Sequence, residues 1–108
     1  QPNAMGGREV GGLANQLAAH EDFSDPVGIE RVEEFWSAPR IAHKEGLKAI
    51  DMFTALEHGD VKIIWIMGTN PVVSMPNANQ VKRALEKAEL VIVSEAMLDC
   101  DTLAYADI

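Results

Sequence analysis

One cysteine, Cys100, stands among the 108 residues, so no disulfide can close within the chain. Such thin cysteine usage fits a reducing compartment, and a cytoplasmic location is expected. Histidine is nearly as scarce: His20, His43 and His58 are scattered, and no two stand at a metal-ligand spacing. Any metal the protein uses is therefore expected to be held mainly by residues outside this stretch. Basic residues number 9 against 17 acids, a net charge of −8. That balance excludes non-specific nucleic-acid binding, which needs clustered Lys and Arg to displace counterions. It leaves room for a particular anionic ligand, because backbone N–H groups and one or two local bases suffice to hold one. No apolar run approaches the roughly 20 residues of a membrane helix. The longest, Val61–Met67, is strand-sized and carries Lys62. A basic-then-apolar leader is missing, as it would be from a piece cut out of a longer chain. Also missing is a glycine-spaced phosphate fingerprint at the start of a helix, which argues against a nicotinamide or P-loop site.

What is present is an ordinary globular balance, 47% hydrophobic and 24% charged, enough for one small domain with a modest core. The ends look cut. The chain opens on Gln1-Pro2-Asn3 and stops at Asp107-Ile108, where an apolar residue reads as the start of a further strand. A part of a longer protein is expected. Gly6, Gly7, Gly11 and Gly12 crowd residues 1–12, which predicts irregular backbone that approaches something closely. Residues 1–26 as a whole are expected to be mostly irregular and loosely held, with one or two helical turns over Leu13–Ala19. Ile29, Val32 and Trp36 recur at helical spacing, so Val27–Ser37 is expected to be a short amphipathic helix ended by Pro39. Residues 40–46 are a connector.

The second half has clearer periods. Leu47, Ile50, Phe53 and Leu56 predict a helix capped by Gly59. Val61–Met67 and Leu90–Val93 are nearly continuous apolar runs, the mark of strands covered on both faces in a parallel sheet. Between them Gly68–Pro76 reads as a polar loop. Val81, Ala84, Leu85 and Ala88 predict a helix over Asn77–Ala88, with Asn77 or Asn79 as its N-cap. Asp99–Ala106 is a final helical piece. The expected fold class is α/β, a doubly wound, Rossmann-like parallel-sheet fragment. It forms a single partial domain, with residues 1–46 as the glycine-rich opening and 47–108 as the helix–strand–helix–strand–helix unit.

Parallel sheets bind ligands at the carboxyl ends of their strands, where the following loops point their donors. That rule selects Gly68, Thr69, Asn70 and Pro71 after the first strand and Ser94 and Glu95 after the second. Thr69 and Asn70 both donate and accept hydrogen bonds, while ionised Glu95 only accepts, which suits ribose hydroxyls or the N–H edge of a purine. The competing reading is a plain turn and a solvated strand end, since turn residues cluster there for local reasons. Arg8, beside flexible glycine backbone, is the one base with a case for anion contact, the alternative being a surface pair with Glu9.

Three stretches together resemble the molybdopterin oxidoreductases. Gln1-Pro2-Asn3-Ala4-Met5-Gly6-Gly7-Arg8-Glu9-Val10-Gly11-Gly12-Leu13 is similar to the glycine-rich segment of prokaryotic assimilatory nitrate reductases. Trp65–Pro71 with Ser74-Met75-Pro76 resembles the family's cofactor-contacting strand and loop, and Leu90–Glu95, running on to Thr102, Ala104, Ala106 and Asp107, its next strand. The resemblance covers essentially the whole chain and implies a fragment of a catalytic subunit. In such enzymes one molybdenum is held by two molybdopterin guanine dinucleotides, and an iron–sulfur cluster delivers electrons. The molybdenum ligand and cluster cysteines are implied to lie upstream, so this fragment alone is not catalytic. Cofactor contact is carried onto Thr69, Asn70, Ser94 and Glu95, the last where the family usually has Asp, and Arg8 onto the substrate funnel. Implied with it are nitrate assimilation, reduction of nitrate to nitrite, and an electron-donor protein or reductase subunit as partner. The alternatives are a formate dehydrogenase-like relative and a metal-free structural relative, such as a subunit of NADH dehydrogenase.

Overall fold

Helix and strand alternate through the second half of the chain, as its hydrophobic pattern requires. The computed structural model describes residues 4–108. In chain order it contains α1 (Ala4–Glu9), a 3-10 turn (Ala18–His20), α2 (Pro26–Trp36), α3 (Ala49–His58), β1 (Ile63–Met67), α4 (Pro71–Ser74), α5 (Ala78–Lys87), β2 (Leu90–Ser94) and a 3-10 stretch (Asp101–Tyr105). These fall into two units, Gln1–Leu47 and Lys48–Ile108. Among the described residues no helix is long and apolar enough to cross a membrane.

In the second unit β1 and β2 pair in parallel, from Ile63↔Leu90 to Met67↔Ser94, with α5 between them in sequence. Asn77 caps α5 by accepting from Gln80 N at 3.1 Å, and the stripe Val81, Ala84 and Leu85 is buried. These side chains join Phe53 and Leu56 of α3 and Ile64 and Ile66 of β1 in one core. Polar contacts fasten α3 to α5: Arg83 Nε donates to Glu57 Oε1 at 2.8 Å, and Gln80 Nε2 to Thr54 Oγ1 at 3.1 Å. The 3-10 stretch brings Thr102 to full burial. Just beyond it, Ile108 N donates to Val91 O at 3.3 Å and Ile108 O accepts from Val93 N at 2.9 Å. That pair of bonds straddles Ile92 in the way a parallel neighbour does.

Three expectations for this unit need correction. β1 is not covered on both faces within it: Ile64 and Ile66 are buried, whereas Ile63, Trp65 and Met67 are 58%, 58% and 57% exposed. The core side chains of the helices all gather on the face that Ile64 and Ile66 share, leaving the other face bare in this unit. Gly68–Pro76 is not simply a loop, because Pro71–Ser74 closes a helical turn. Proline at its first position needs no N–H partner and has its φ already set, and Val72 drops into the core. Leu47 lies outside α3, half exposed, so that helix begins later than its apolar spacing predicted.

The first unit departs further from expectation. Residues 4–9 are helical, although their glycines predicted irregular backbone; Gln1-Pro2-Asn3 lie outside the described residues. Leu13–Ala19 is not helical apart from the 3-10 turn at its end, where Ala19 and His20 take positive φ. The close approach expected of the glycines does occur at Gly11. Its φ is +78°, and a Cβ there would stand 2.6 Å from Ala18 N, so the neighbour it admits is the chain's own backbone. α2 appears as expected to within a residue, with Asp25 capping it through Val27 N at 3.0 Å. It stops at Ser37, which takes the left-handed conformation before Pro39 is reached. Leu17 and Val32 are the large apolar side chains buried in this unit.

Candidate functional site

The carboxyl edge of the two-stranded sheet gathers the residues that sequence reasoning selected. Met67 faces Ser94 in the last pair of the ladder, and Gly68 N donates to Ser94 O at 2.9 Å. Gly68-Thr69-Asn70 and Glu95 therefore leave the sheet at the same edge. Gly68 has a φ of +57°, which strains any L side chain, and nothing lies within 4 Å of where a Cβ would stand. The backbone is thus open to close approach at that point.

Each side chain on this edge has a definite set of bonds. Ser94 Oγ accepts from the indole Nε1 of Trp65 at 2.9 Å, so its own proton remains to donate outward. Both residues lie on the bare face of the sheet, since Trp65 pairs with Ile92 and Met67 with Ser94. Glu95 curls back on its own turn: Oε1 accepts from Ala96 N at 2.7 Å and Met97 N at 3.4 Å. Among the described residues the second carboxylate oxygen carries no such bond. Thr69 is half-buried and has no side-chain hydrogen bond among the described residues.

Asn70 is engaged at both ends of its amide. Oδ1 accepts the Thr102 hydroxyl proton at 2.7 Å, and Nδ2 donates to Asp101 Oδ2 at 3.1 Å. The Thr102 oxygen also faces Val72 N, at 3.5 Å. Sequence reasoning missed Asp101 and Thr102 as parts of this edge. They lie 31 and 32 residues from Asn70, and no local pattern announces the meeting. Only burial gives the signal: Thr102 is the buried residue of its 3-10 stretch, and a buried hydroxyl needs a polar partner.

Arg8 belongs to the first unit, at the end of α1, with its side chain exposed. Its carbonyl accepts from Gln16 Nε2 at 2.8 Å and from Gly11 N at 3.2 Å. No ion pair joins it to Glu9 among the described residues, so that competing pairing does not form. Nor do any three His, Cys, Asp or Glu side chains converge there as a metal site would require.

The second unit mixes helix with a small parallel sheet, and comparison with known proteins identifies the family to which such a unit belongs here. The profile of the molybdopterin oxidoreductase family matches residues 3–108, and the chain belongs to that family. It is 51% identical over 108 residues to a nitrate reductase of Klebsiella oxytoca and 54% identical to one of Shewanella frigidimarina. All of this chain is matched in both, and it spans 12% and 11% of their respective lengths. Formate dehydrogenase H of Escherichia coli is 26% identical over 108 residues, 15% of its length.

Proposed function

We propose that the chain is a segment of a molybdenum-dependent nitrate reductase and supplies part of the site for the guanosine end of a molybdopterin guanine dinucleotide. The observation that carries the site is the common edge set by the Met67↔Ser94 pair, from which Thr69, Asn70, Ser94 and Glu95 all emerge. What their internal bonds leave over fits a purine–ribose unit. Ser94 and Thr69 retain hydroxyl protons, Glu95 an acceptor oxygen, and Asn70 one N–H and one lone pair. In this reading the chain's residues bind and orient the nucleotide; the bound group supplies the two-electron exchange by which an oxygen atom leaves nitrate.

Nitrate is preferred over formate because identity to the nitrate reductases is about twice that to formate dehydrogenase H. The same reading makes the two units parts of one doubly wound domain and places the iron–sulfur cluster and molybdenum ligand outside this stretch. Arg8 is assigned to the substrate funnel, where a guanidinium suits a planar oxyanion. An electron-donor protein or subunit is the expected partner, and the single cysteine favours a cytoplasmic site of action.

The test uses the full-length enzyme carrying Asn70→Ala or Glu95→Ala. Bound molybdenum and the guanine nucleotide released on denaturation should both fall, with the protein still folded. Wild-type occupancy in both variants would return these side chains to the role of turn and strand-end residues.

A further inference from the structure

The bonds around Asn70 fix more than its position. A side-chain amide has two faces of opposite polarity, and a free asparagine presents either one to a ligand. Here the choice is made from two sides. Val72 N–H points at Thr102 Oγ1, which directs the hydroxyl proton away from Val72 and onto Asn70 Oδ1, at 2.7 Å. On the other side Asp101 presents a carboxylate oxygen, an acceptor only, to Asn70 Nδ2 at 3.1 Å. Flipping the amide would set its oxygen against that carboxylate. Thr102 is fully buried, so its hydroxyl cannot turn to water instead.

We propose that Thr102 and Asp101 are positioning residues that lock the amide of Asn70 in one orientation for the guanine dinucleotide. The inference rests on the proposed reading of Asn70 as a cofactor contact. Neither residue need touch the ligand. Both act through Asn70, and the last 3-10 stretch of the unit thereby controls the loop after β1.

The test again uses the full-length enzyme, and the readout is the rate at which guanine nucleotide is lost into buffer. Thr102→Val keeps the side-chain shape and removes the hydroxyl; Thr102→Ser keeps the hydroxyl and opens a methyl-sized void. Positioning predicts loss about fivefold or more faster for Thr102→Val, the loss of roughly one hydrogen bond, with Thr102→Ser close to wild type. A packing role predicts the reverse order, which would overturn the proposal.

The double variant Asn70→Ala with Thr102→Val should lose nucleotide no faster than Asn70→Ala alone, because residues acting through one contact are not additive. Multiplying effects would show that Thr102 acts by another route. Rapid loss from Asn70→Ala with wild-type retention in Thr102→Val would overturn positioning while leaving the cofactor reading intact. Wild-type retention in Asn70→Ala would overturn both. If Thr102→Val fails to fold, exposed Asp101 carries the test. Asp101→Ala should then lose nucleotide faster, and so should Asp101→Asn, whose amide donates as well as accepts and so admits a flipped Asn70; equal retention in Asp101→Ala and wild type would overturn the lock.

Discussion

The two units, Gln1–Leu47 and the longer Lys48–Ile108, are each held together by different means. Residues 48–108 bury a contiguous apolar core drawn from α3, α4, α5 and both strands, whereas the unit ending at Leu47 buries Leu17 and Val32 and otherwise relies on backbone bonds, caps and side-chain pairs such as Arg31 with Glu21 and His43 with Glu33. Apolar burial is cooperative, because each added side chain excludes water from its neighbours' surfaces as well. Backbone turns such as Gly12 N to Gly7 O and Leu17 N to Glu21 O are local and open one at a time. The difference explains why the second unit follows its hydrophobic periods closely, whereas in the first α2 does and the glycine-rich opening does not.

Hydrogen exchange on the 108-residue chain gives the broadest test of that contrast. Amides of the β1–β2 ladder and of α5 should exchange roughly a hundredfold or more slowly relative to those of residues 4–26. Comparable protection in both would mean that the first unit has a stability its side chains do not reveal.

Core truncation sharpens the comparison at single residues. Leu56 is fully buried among the second unit's apolar side chains, and Leu56→Ala should cost about 2–5 kcal/mol. Val32→Ala removes less surface from a sparser setting and should cost about 1–2 kcal/mol. Each unit has its own tryptophan, Trp36 and Trp65, so variants keeping only one report the two denaturation midpoints separately. The Trp65 midpoint should move further with Leu56→Ala than the Trp36 midpoint does with Val32→Ala.

Caps bring the two units closer to parity. Asn77 accepts from Gln80 N at 3.1 Å, three residues on, and Asp25 from Val27 N at 3.0 Å, two residues on, so each satisfies one N–H of its first turn at a similar distance. Alanine at either should cost roughly 1 kcal/mol, and exchanging Asn77 for Asp should cost little. A much larger effect at Asn77, measured by urea denaturation, would show that the core amplifies the cap.

Legibility followed the same division. α5 could be placed from Val81, Ala84, Leu85 and Ala88 because 3.6-residue spacing leaves one face to bury, and the parallel pairing of β1 and β2 followed from the helix between them. Gly6 and Gly7 misled because helix propensity is a weak local preference, which bonds such as Val10 N to Gly6 O can outweigh. The one-sided burial of β1 was hidden, since an apolar run at Ile63, Trp65 and Met67 reads the same whether or not another element lies over it. At the candidate site, strand-end topology selected Asn70, Ser94 and Glu95. It did not select Thr102 and Asp101, whose contacts with Asn70 exist only once the chain has folded.

The smallest expected effect is electrostatic and separates two ion pairs within the second unit. The Arg83 guanidinium, hydrogen-bonded to Glu57, holds the Glu57 carboxyl below its ordinary value of 4.5, against the opposing effect of partial burial. A carboxyl lowered in the folded state contributes stability that is fully present above its unfolded value and is lost as pH falls through the folded one. The stability difference between wild type and Glu57→Gln should therefore hold steady near neutral pH and shrink in acid, below about pH 4.5. Lys62 runs the other way. Its hydrogen bond to Glu89 raises it above 10.5, so its contribution is present below that value and is lost only in strong alkali. Both partners there are more than half exposed, at 63% and 62%, against 16% for Glu57. Solvent and salt screen such a pair, and Lys62→Met should shift the melting temperature less than Glu57→Gln does. Melting curves across pH at low and high salt decide between them. An acid-independent effect of Glu57→Gln would mean that the contact between α3 and α5 depends on packing rather than charge.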